Sequence, residues 1–352
     1  MSRHVARFLI VLGITLASLT LDAPITAATQ PGHNGRIAFM RWNGSGFPDL
    51  WTANPDLSHQ VQVTSGYGAG FPAWSPDGTR IAFSSGRCDP DPEDGVEIQD
   101  IFTIRADGSD LRKITPSVGD TEKPTWSPDG RWLAFSTDAG NYPAGQGIYV
   151  IPSDGSAPMR MVTPKPEGTF WSELARFSPD GRKLLFTAYR GANEVRNVRQ
   201  EKLAGFEFAL FVVGIDGSGL RQLTPWGLYA GDGDWSPDGS RIVFQSSPPH
   251  LGHIQHVMIV DADGQHLRSL TQDHGLTGLS SSDQSPWYEE SFNPVWSPDG
   301  TRIMFVHASY TPEVGFNAGL QTMNPDGSDR RWVSDGHGEE HQPDWGTAPL
   351  AR

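Results

Sequence analysis

A five-residue motif, Trp-Ser-Pro-Asp-Gly, recurs along the chain and limits its possible folds more than any other feature. Its leading aromatic residue occurs at Trp74, Trp126, Phe177, Trp235 and Trp296, and a shortened sixth copy contains Trp345. These residues lie 52, 51, 58, 61 and 49 positions apart. That period is typical of four-stranded propeller blades and is longer than the period of common helical repeats. The repeat therefore predicts a β-propeller.

Each copy of the motif predicts a tight turn followed by a strand. Proline presets φ for the first corner of a type I turn, aspartate suits the second, and glycine accepts the left-handed conformation that follows. Short runs such as Ile81-Ala82-Phe83 come next. Because these runs are apolar on both faces, we expect each sheet to pack between two neighbouring sheets.

Asp-Gly pairs predict a second hairpin turn in the repeats, at 107–108, 154–155, 216–217, 263–264 and 326–327. Each repeat is therefore predicted to be a four-stranded meander. Residues 35–39 look like a second strand without a first, and residues 342–345 look like a first strand without a second. Their pairing would remove two exposed strand edges. The predicted fold class is all-β, a six-bladed β-propeller of four-stranded antiparallel blades closed by a C-terminal strand pairing with the N-terminal blade.

The first residues differ in composition from the rest and predict a signal peptide. Basic residues precede an apolar run from Phe8 to Leu21, and the small residues Ala27 and Ala28 follow it. We expect a signal peptide at 1–28, a short lead-in at 29–34, the propeller at 35–346 and a tail at 347–352. The mature protein is expected to be periplasmic or secreted, without a membrane span.

The charge distribution predicts which face of the propeller carries its function. The formal net charge is −14, which argues against nucleic acid as a partner because phosphate binding needs clustered Lys and Arg. The segments that join second to third strands, and one blade to the next, hold 23 Asp or Glu and 6 Lys or Arg, a difference of −17. Long loops on a rigid scaffold usually carry function. We therefore expect a binding site on this face.

Residues that precede each first strand are expected to ring the mouth of the central channel. They are Glu122, Lys123, Glu173, Arg176, Asp232, Asp234, Glu289, Glu290, Asn293, Glu339, Glu340 and His341. One interpretation is a site for a protein or peptide of basic or mixed charge, on a monomeric propeller. The other is a set of solvated loop charges that keep an acidic protein soluble. The repeat aromatic residues are interpreted as inter-blade packing, not as a ligand cage.

One dense acidic loop is a possible Ca²⁺ site, formed by Asp89, Asp91, Glu93, Asp94 and Glu97. Hard cations take six to eight oxygen ligands, but Gly95 falls one position late for an EF-hand. No other cofactor is predicted. His250, His253 and His256 are interpreted as surface histidines because their spacing on an extended loop separates them.

The chain contains no strong signature of catalysis. It has no Gly-x-Ser-x-Gly elbow, and its single cysteine, Cys88, has no histidine near it in sequence. A metal-dependent propeller lyase acting on acidic oligosaccharides stays open as an alternative. Such a site needs several channel-facing histidines, whereas only His341 lies beside a predicted first strand. We therefore expect a binding protein with no catalytic residues.

The repeat resembles the TolB-type propeller, also called the WD40-like or PD40 repeat, over residues 35–346. The resemblance rests on Pro124-Thr125-Trp126-Ser127-Pro128-Asp129-Gly130-Arg131-Trp132-Leu133-Ala134-Phe135 and its copies. It implies the propeller fold, and it implies binding to the lipoprotein Pal and other periplasmic partners in a Tol-Pal-type assembly. Similar blades also occur in peptidases as accessory domains. TolB has an α/β domain before its propeller, and we expect none here because the repeat begins soon after the predicted cleavage site.

Overall fold

Six four-stranded antiparallel sheets make up the protein, which confirms the predicted propeller architecture. The computed structural model describes residues 32–42, 47–86, 98–117, 119–137, 146–164, 166–169, 171–191, 206–247, 254–271, 288–311, 315–334 and 340–348. The predicted signal peptide lies outside these residues. None of the described residues belongs to a helix that is long and apolar enough to cross a membrane.

Each sheet is one blade, with a short strand at its outer edge. Blade 1 contains β1 (Asn34–Trp42), β2 (Pro48–Ala53), β3 (Val61–Gln62) and the inner strand β24 (Glu340–Thr347). Blade 2 contains β4 (Gly70–Trp74), β5 (Arg80–Ser85), β6 (Asp100–Arg105) and β7 (Arg112–Lys113). Blade 3 contains β8 (Thr121–Trp126), β9 (Trp132–Thr137), β10 (Gly147–Pro152) and β11 (Arg160–Pro164).

The second half of the chain repeats this order. Blade 4 contains β12 (Trp171–Phe177), β13 (Lys183–Gly191), β14 (Phe206–Gly214) and β15 (Arg221–Gln222). Blade 5 contains β16 (Ala230–Trp235), β17 (Arg241–Ser246), β18 (His256–Asp261) and β19 (Arg268–Ser269), and a 3₁₀ turn at Trp226–Leu228 precedes it. Blade 6 contains β20 (Tyr288–Trp296), β21 (Ile303–Thr311), β22 (Gly315–Met323) and β23 (Arg331–Trp332).

The inner strands meet in a closed ring around a channel. Strand β24 contacts β4, and the contacts continue through β8, β12, β16 and β20 back to β24. The face with the Ser-Pro-Asp-Gly and Asp-Gly turns is called the turn face below, and the opposite face is called the loop face. Every repeat aromatic residue is buried against the neighbouring blade, which confirms its interpretation as inter-blade packing.

One hydrogen-bond network builds the Ser-Pro-Asp-Gly turn in five blades. In blade 3, Ser127 Oγ donates to Asp129 Oδ1 at 2.6 Å and accepts from the backbone N–H of Trp132 at 2.9 Å. The N–H of Gly130, whose φ is 70°, donates to the carbonyl of Ser127. Equivalent bonds form around Asp77, Asp180, Asp238 and Asp299. The turn chemistry therefore forms as predicted, between the first and second strands.

The two ends of the described chain pair to close the ring. Strand β1 runs antiparallel to β24, with Ile37 opposite Trp345 and Arg41 opposite Glu340. Trp345 is 8% exposed and packs in a core shared by blades 1 and 6. The predicted closure by a C-terminal strand is confirmed.

Candidate functional site

All six inner strands contain a bulge three residues before the repeat aromatic residue. At this position φ lies between 48° and 60°, and in five blades the pairing with the second strand shifts register beside it. In blade 1 the shift lies between β1 and β24. The residues are Phe71, Lys123, Leu174, Asp232, Asn293 and Gln342, and all six line one cavity inside the ring of inner strands. Positive φ is uncommon outside glycine, and bulges often redirect side chains beside functional sites.

The predicted mouth residues lie within the inner strands, not before them as expected. Strand pairing continues past the bulge toward the loop face, so that Glu122 pairs with Ser136 and Glu290 with Ala308. Glu339 lies outside the described residues. Glu289 is exposed and Glu290 is half-buried, whereas Asp234 and Glu340 are buried. The interpretation of the set as solvated loop charges therefore fails for several of its members.

An ion pair between Lys123 and Glu173 joins blades 3 and 4 at the channel wall. Lys123 Nζ also lies 3.6 Å from a carboxylate oxygen of Glu122. Burial lowers the pKa of Lys123, but the charges of Glu173 and Glu122 outweigh burial and the pKa is raised. Glu173 also accepts hydrogen bonds from Tyr189 Oη at 2.7 Å and from Trp171 Nε1 at 2.8 Å.

Glu122 and Glu173 differ in their protonation equilibria although both contact Lys123. Burial raises the pKa of both carboxyls. At Glu173 the charge of Lys123 and three donated hydrogen bonds outweigh burial, and the pKa is lowered. At Glu122 burial outweighs Lys123, and its pKa is raised. The Lys123–Glu173 pair is therefore the charged link between these blades.

Two aspartates in the channel hold the inner strand of the next blade. Asp234 Oδ2 accepts from the backbone N–H of Trp296 at 2.8 Å, and Asp344 Oδ2 accepts from the N–H of Trp74 at 2.7 Å. Burial raises the pKa of Asp344, and the charge of Arg176 opposes this only in part. Asp344 was missed in the sequence, although it precedes Trp345 just as Asp234 precedes Trp235.

The bulge residues Asp232 and Asn293 join blades 5 and 6. Asn293 Nδ2 donates to Asp232 Oδ2, and the backbone N–H of Asn293 donates to Gln245 Oε1 at 3.0 Å. Burial raises the pKa of Asp232 against the opposing charge of Arg176. The corresponding bond between blades 1 and 2 runs from the N–H of Phe71 to Gln342 Oε1 at 2.8 Å. Gln342 was also missed in the sequence. The signal that could have identified it is its position three residues before Trp345, which matches the offset of the other bulge residues.

Near the loop face, the closing blade has its own ion pair. Arg41 Nη2 lies 2.5 Å from Glu340 Oε1, and Glu340 is 3% exposed. The His341 ring stacks on Phe292 with centroids 6.4 Å apart. His341 is the one histidine in the six inner strands as described. The structure therefore does not gather several channel-facing histidines in the described part of the chain.

The possible metal sites fall mostly outside the description. Asp89, Asp91, Glu93, Asp94 and Glu97 lie outside the described residues, as do Cys88, His250 and His253. His256, which was expected on the surface, is 7% exposed because it lies within β18 between blades. Within the described residues, no group of three or more His, Cys, Asp or Glu is placed to hold a metal ion.

Comparisons with known proteins agree with this architecture. The chain matches the family model of the TolB beta propeller domain over residues 23–276. The "Protein TolB homolog" of Chlorobium luteolum is 32% identical over an alignment of 128 residues, which covers 26% of this chain and 29% of the relative. The "Uncharacterized peptidase YuxL" of Bacillus subtilis is 26% identical over an alignment of 214 residues, which covers 54% of this chain and 30% of the relative. The chain thus spans less than a third of either curated relative.

A solved structure supports the same fold over most of the chain. The crystal structure of TolB from Acinetobacter baumannii aligns with a TM-score of 0.63 at 22% identity. The alignment covers 89% of this chain and 67% of that one. At this level of identity the likeness shows the fold alone.

Proposed function

This chain belongs to the TolB β-propeller family, and on that premise we propose that it is a non-catalytic binding protein that acts outside the cytoplasm. Its partner is a protein or peptide segment of basic or mixed charge, which binds on the loop face at the channel mouth. The apolar stretch from Phe8 to Leu21, typical of a signal peptide, supports the extracytoplasmic location. A role in a Tol-Pal-type assembly is the narrower form of this proposal.

The charge of the inner strands is the observation that carries the proposal. Together the six strands contain eight carboxylates and two basic side chains, Lys123 and Arg176. Three of these carboxylates, Asp232, Asp234 and Asp344, line the narrow cavities inside the ring, and low-dielectric walls focus the electric field of such charges toward the mouth. A cationic segment is therefore attracted to the mouth, while an acidic oligosaccharide is repelled.

The shape of the loop face also supports a bound segment. Strands β13, β14, β21 and β22 have nine residues each, whereas the middle strands of blades 2, 3 and 5 have six. Three extra residues raise blades 4 and 6 by about 10 Å on the loop side. Blade 4 presents the aromatic pair Tyr189 and Phe208, with ring centroids 5.3 Å apart. A segment lying between these two walls would contact aromatic rings and carboxylates together.

Association kinetics test the proposal. A labelled peptide of alternating Lys and Ser should bind the protein at low salt and bind much more slowly above physiological salt, because the Debye length is then under about 8 Å. The double variant E289Q/E290Q should slow association several-fold. The matched control D107N/D326N removes two exposed carboxylates from the turn face and should leave association unchanged.

Two results would contradict the proposal. One is binding that is insensitive both to salt and to E289Q/E290Q. The other is metal-dependent turnover of an acidic oligosaccharide by the wild-type protein that H341A abolishes, because this would establish the lyase alternative.

A further inference from the structure

Arg176 is a basic residue at a channel position where the other five blades have none. It directly precedes the repeat aromatic residue of blade 4, at a position that the other blades fill with Ala73, Thr125, Asp234, Val295 and Asp344. Two cavities lie inside the ring of inner strands. The six bulge residues line one of them, called the upper cavity below, and several repeat aromatic residues line the other, called the lower cavity. Arg176 and Val295 line both cavities. The guanidinium is therefore the one cation that lies where the two cavities meet, among the residues that line them.

The guanidinium of Arg176 has hydrogen-bonding capacity that the described residues do not use. No described residue accepts a hydrogen bond from it or forms an ion pair with it within 4.0 Å. Arg176 is half-buried, and a guanidinium has five N–H donors and no acceptor. The group is thus available to a ligand that enters the channel.

A second unused donor lines the same cavity. Gln342 Oε1 accepts the backbone N–H of Phe71, which orients the side-chain amide and leaves its Nε2 group to donate elsewhere. Within the described part of the chain, Nε2 has no acceptor. Gln342 and Arg176 both line the upper cavity. Two donor groups thus line one cavity, from blades 4 and 1.

The aspartates of the two cavities already accept hydrogen bonds. Asp232, which lines the upper cavity, accepts from Asn293, and Asp344, which lines the lower one, accepts from the backbone N–H of Trp74. The charge of Arg176 acts on both aspartates, but the guanidinium forms an ion pair with neither of them. Neither aspartate therefore uses the N–H donors of the guanidinium.

The size of the upper cavity limits what can enter it. Its volume is about 30 Å³, enough for about two water molecules. The two oxygens of a carboxylate group need about the space of two water molecules, and they match the planar fork of a guanidinium.

We propose that the channel contains a carboxylate-binding subsite, in which Arg176 and Gln342 bind one acidic side chain of the partner segment. This inference rests on the proposed function and narrows the partner to a mixed-charge segment. A single Asp or Glu of the segment enters the channel, and basic residues on either side of it face the carboxylates of the inner strands. The carboxylates of the inner strands then attract the segment, while Arg176 determines which of its residues enters the channel.

Two matched peptides test the subsite. Both carry Lys-Ser-x-Ser-Lys with an amidated C-terminus, where x is Glu in one and Gln in the other, so that one carboxylate is the only difference. General attraction to an acidic channel favours the Gln peptide, which has the higher positive charge. The subsite predicts the reverse, a preference of about tenfold for the Glu peptide measured by fluorescence polarisation at low salt.

Two variants should remove that preference. R176Q eliminates the guanidinium, and binding should then favour the Gln peptide. Q342E keeps an acceptor for the N–H of Phe71 but replaces the Nε2 donor with an acceptor, so it should also weaken binding of the Glu peptide. R182Q, which removes an exposed arginine on the turn face of the same blade, is the control and should keep the wild-type preference.

The outcomes separate this inference from the proposed function. If wild type binds both peptides in a salt-sensitive manner but prefers the Gln peptide, the subsite is refuted while the binding function stands. The same holds if R176Q and Q342E, with melting curves like wild type, keep the preference for the Glu peptide. If neither peptide binds wild type at low salt, both inferences fail.

Discussion

The turn face and the channel ring use the internal repeat in opposite ways. On the turn face, five blades repeat one set of hydrogen bonds around the same serine, aspartate and glycine. In the channel ring, six blades repeat one left-handed backbone conformation but carry six different residues there. Repeated side chains thus build the turns, whereas the varied side chains of the ring are presented by a repeated backbone.

This difference indicates which positions of a repeat protein can carry binding chemistry: those where the backbone conformation repeats but the side chain varies. A left-handed conformation costs a non-glycine residue of the order of 1–3 kcal/mol, so glycine would be the least strained residue at all six bulges. None of the six is glycine. Side chains such as Lys123 and Asn293 instead join one blade to another across the channel wall. The strain is therefore offset by contacts between blades.

The largest effect should come from removing the strand that closes the ring. A chain that ends at Glu340 loses most of β24, including Trp345, and exposes the edge of β1. Loss of a large buried aromatic residue alone costs several kcal/mol, comparable with the net stability of a domain. We expect aggregation or loss of the cooperative thermal transition in calorimetry. A chain ending at Ala348 is the control, and an unchanged transition in the shorter chain would refute the closure.

A smaller loss should follow from D129N on the turn face. Burial raises the pKa of Asp129, but the hydrogen bonds from Ser127 and Arg131 outweigh burial and the pKa is lowered. Such a carboxylate stabilises the folded state above its unfolded pKa, and the stabilisation is lost as pH falls through the lower folded value. We expect a loss of about 1–2 kcal/mol near neutral pH in urea titrations. An equal loss in strong acid would contradict this origin.

Asp344 in the channel should show the opposite pH dependence of stability. Burial raises the pKa of Asp344 in the folded protein, so its ionised form opposes folding, and this opposition fades as pH falls through the raised value. D344N keeps an oxygen to accept the N–H of Trp74 and removes the charge. Its melting temperature should exceed that of wild type at mildly alkaline pH and approach it in acid. A melting temperature below wild type at alkaline pH would show that the charge stabilises the fold.

The smallest expected effects come from substitutions at two left-handed positions, one in the channel ring and one on the turn face. L174G in the channel ring relieves a positive φ of 58° and should change the free energy of unfolding by less than about 1 kcal/mol. G130A on the turn face forces alanine into a φ of 70° and should destabilise the protein by about 1 kcal/mol. Denaturant midpoints measure both. If L174G is the more harmful of the two, packing of Leu174 outweighs its backbone strain.

Much of the fold could be predicted because the turns are encoded locally. Proline, aspartate and glycine set the dihedral angles of their own turn, so five copies with a regular period and a shortened sixth predict both the blades and their number. The closure followed from two unpaired half-blades at residues 35–39 and 342–345. Each of these signals lies within a few neighbouring residues.

The channel site was only partly predictable because it depends on contacts between blades. Nothing local to Gln342 indicates that it accepts the N–H of Phe71, which is 271 positions away. The burial of Lys123 and Glu173 likewise depends on the ring of inner strands, so both residues were expected at an exposed rim. The fixed offset of three residues from each repeat aromatic residue would have identified the whole ring.

The pairing of β1 with β24 also sets the order in which the protein can finish folding. Arg41 and Glu340 are 299 positions apart, so the strand that begins the described chain waits for one that is synthesised at its end. During that interval blades 2 to 6 can stack as an open arc, each contacting the blade before it. Contacts this distant in sequence form late, since the entropy of closing the loop must be offset first. Completion of the channel, and with it the proposed binding site, therefore coincides with the last step of folding.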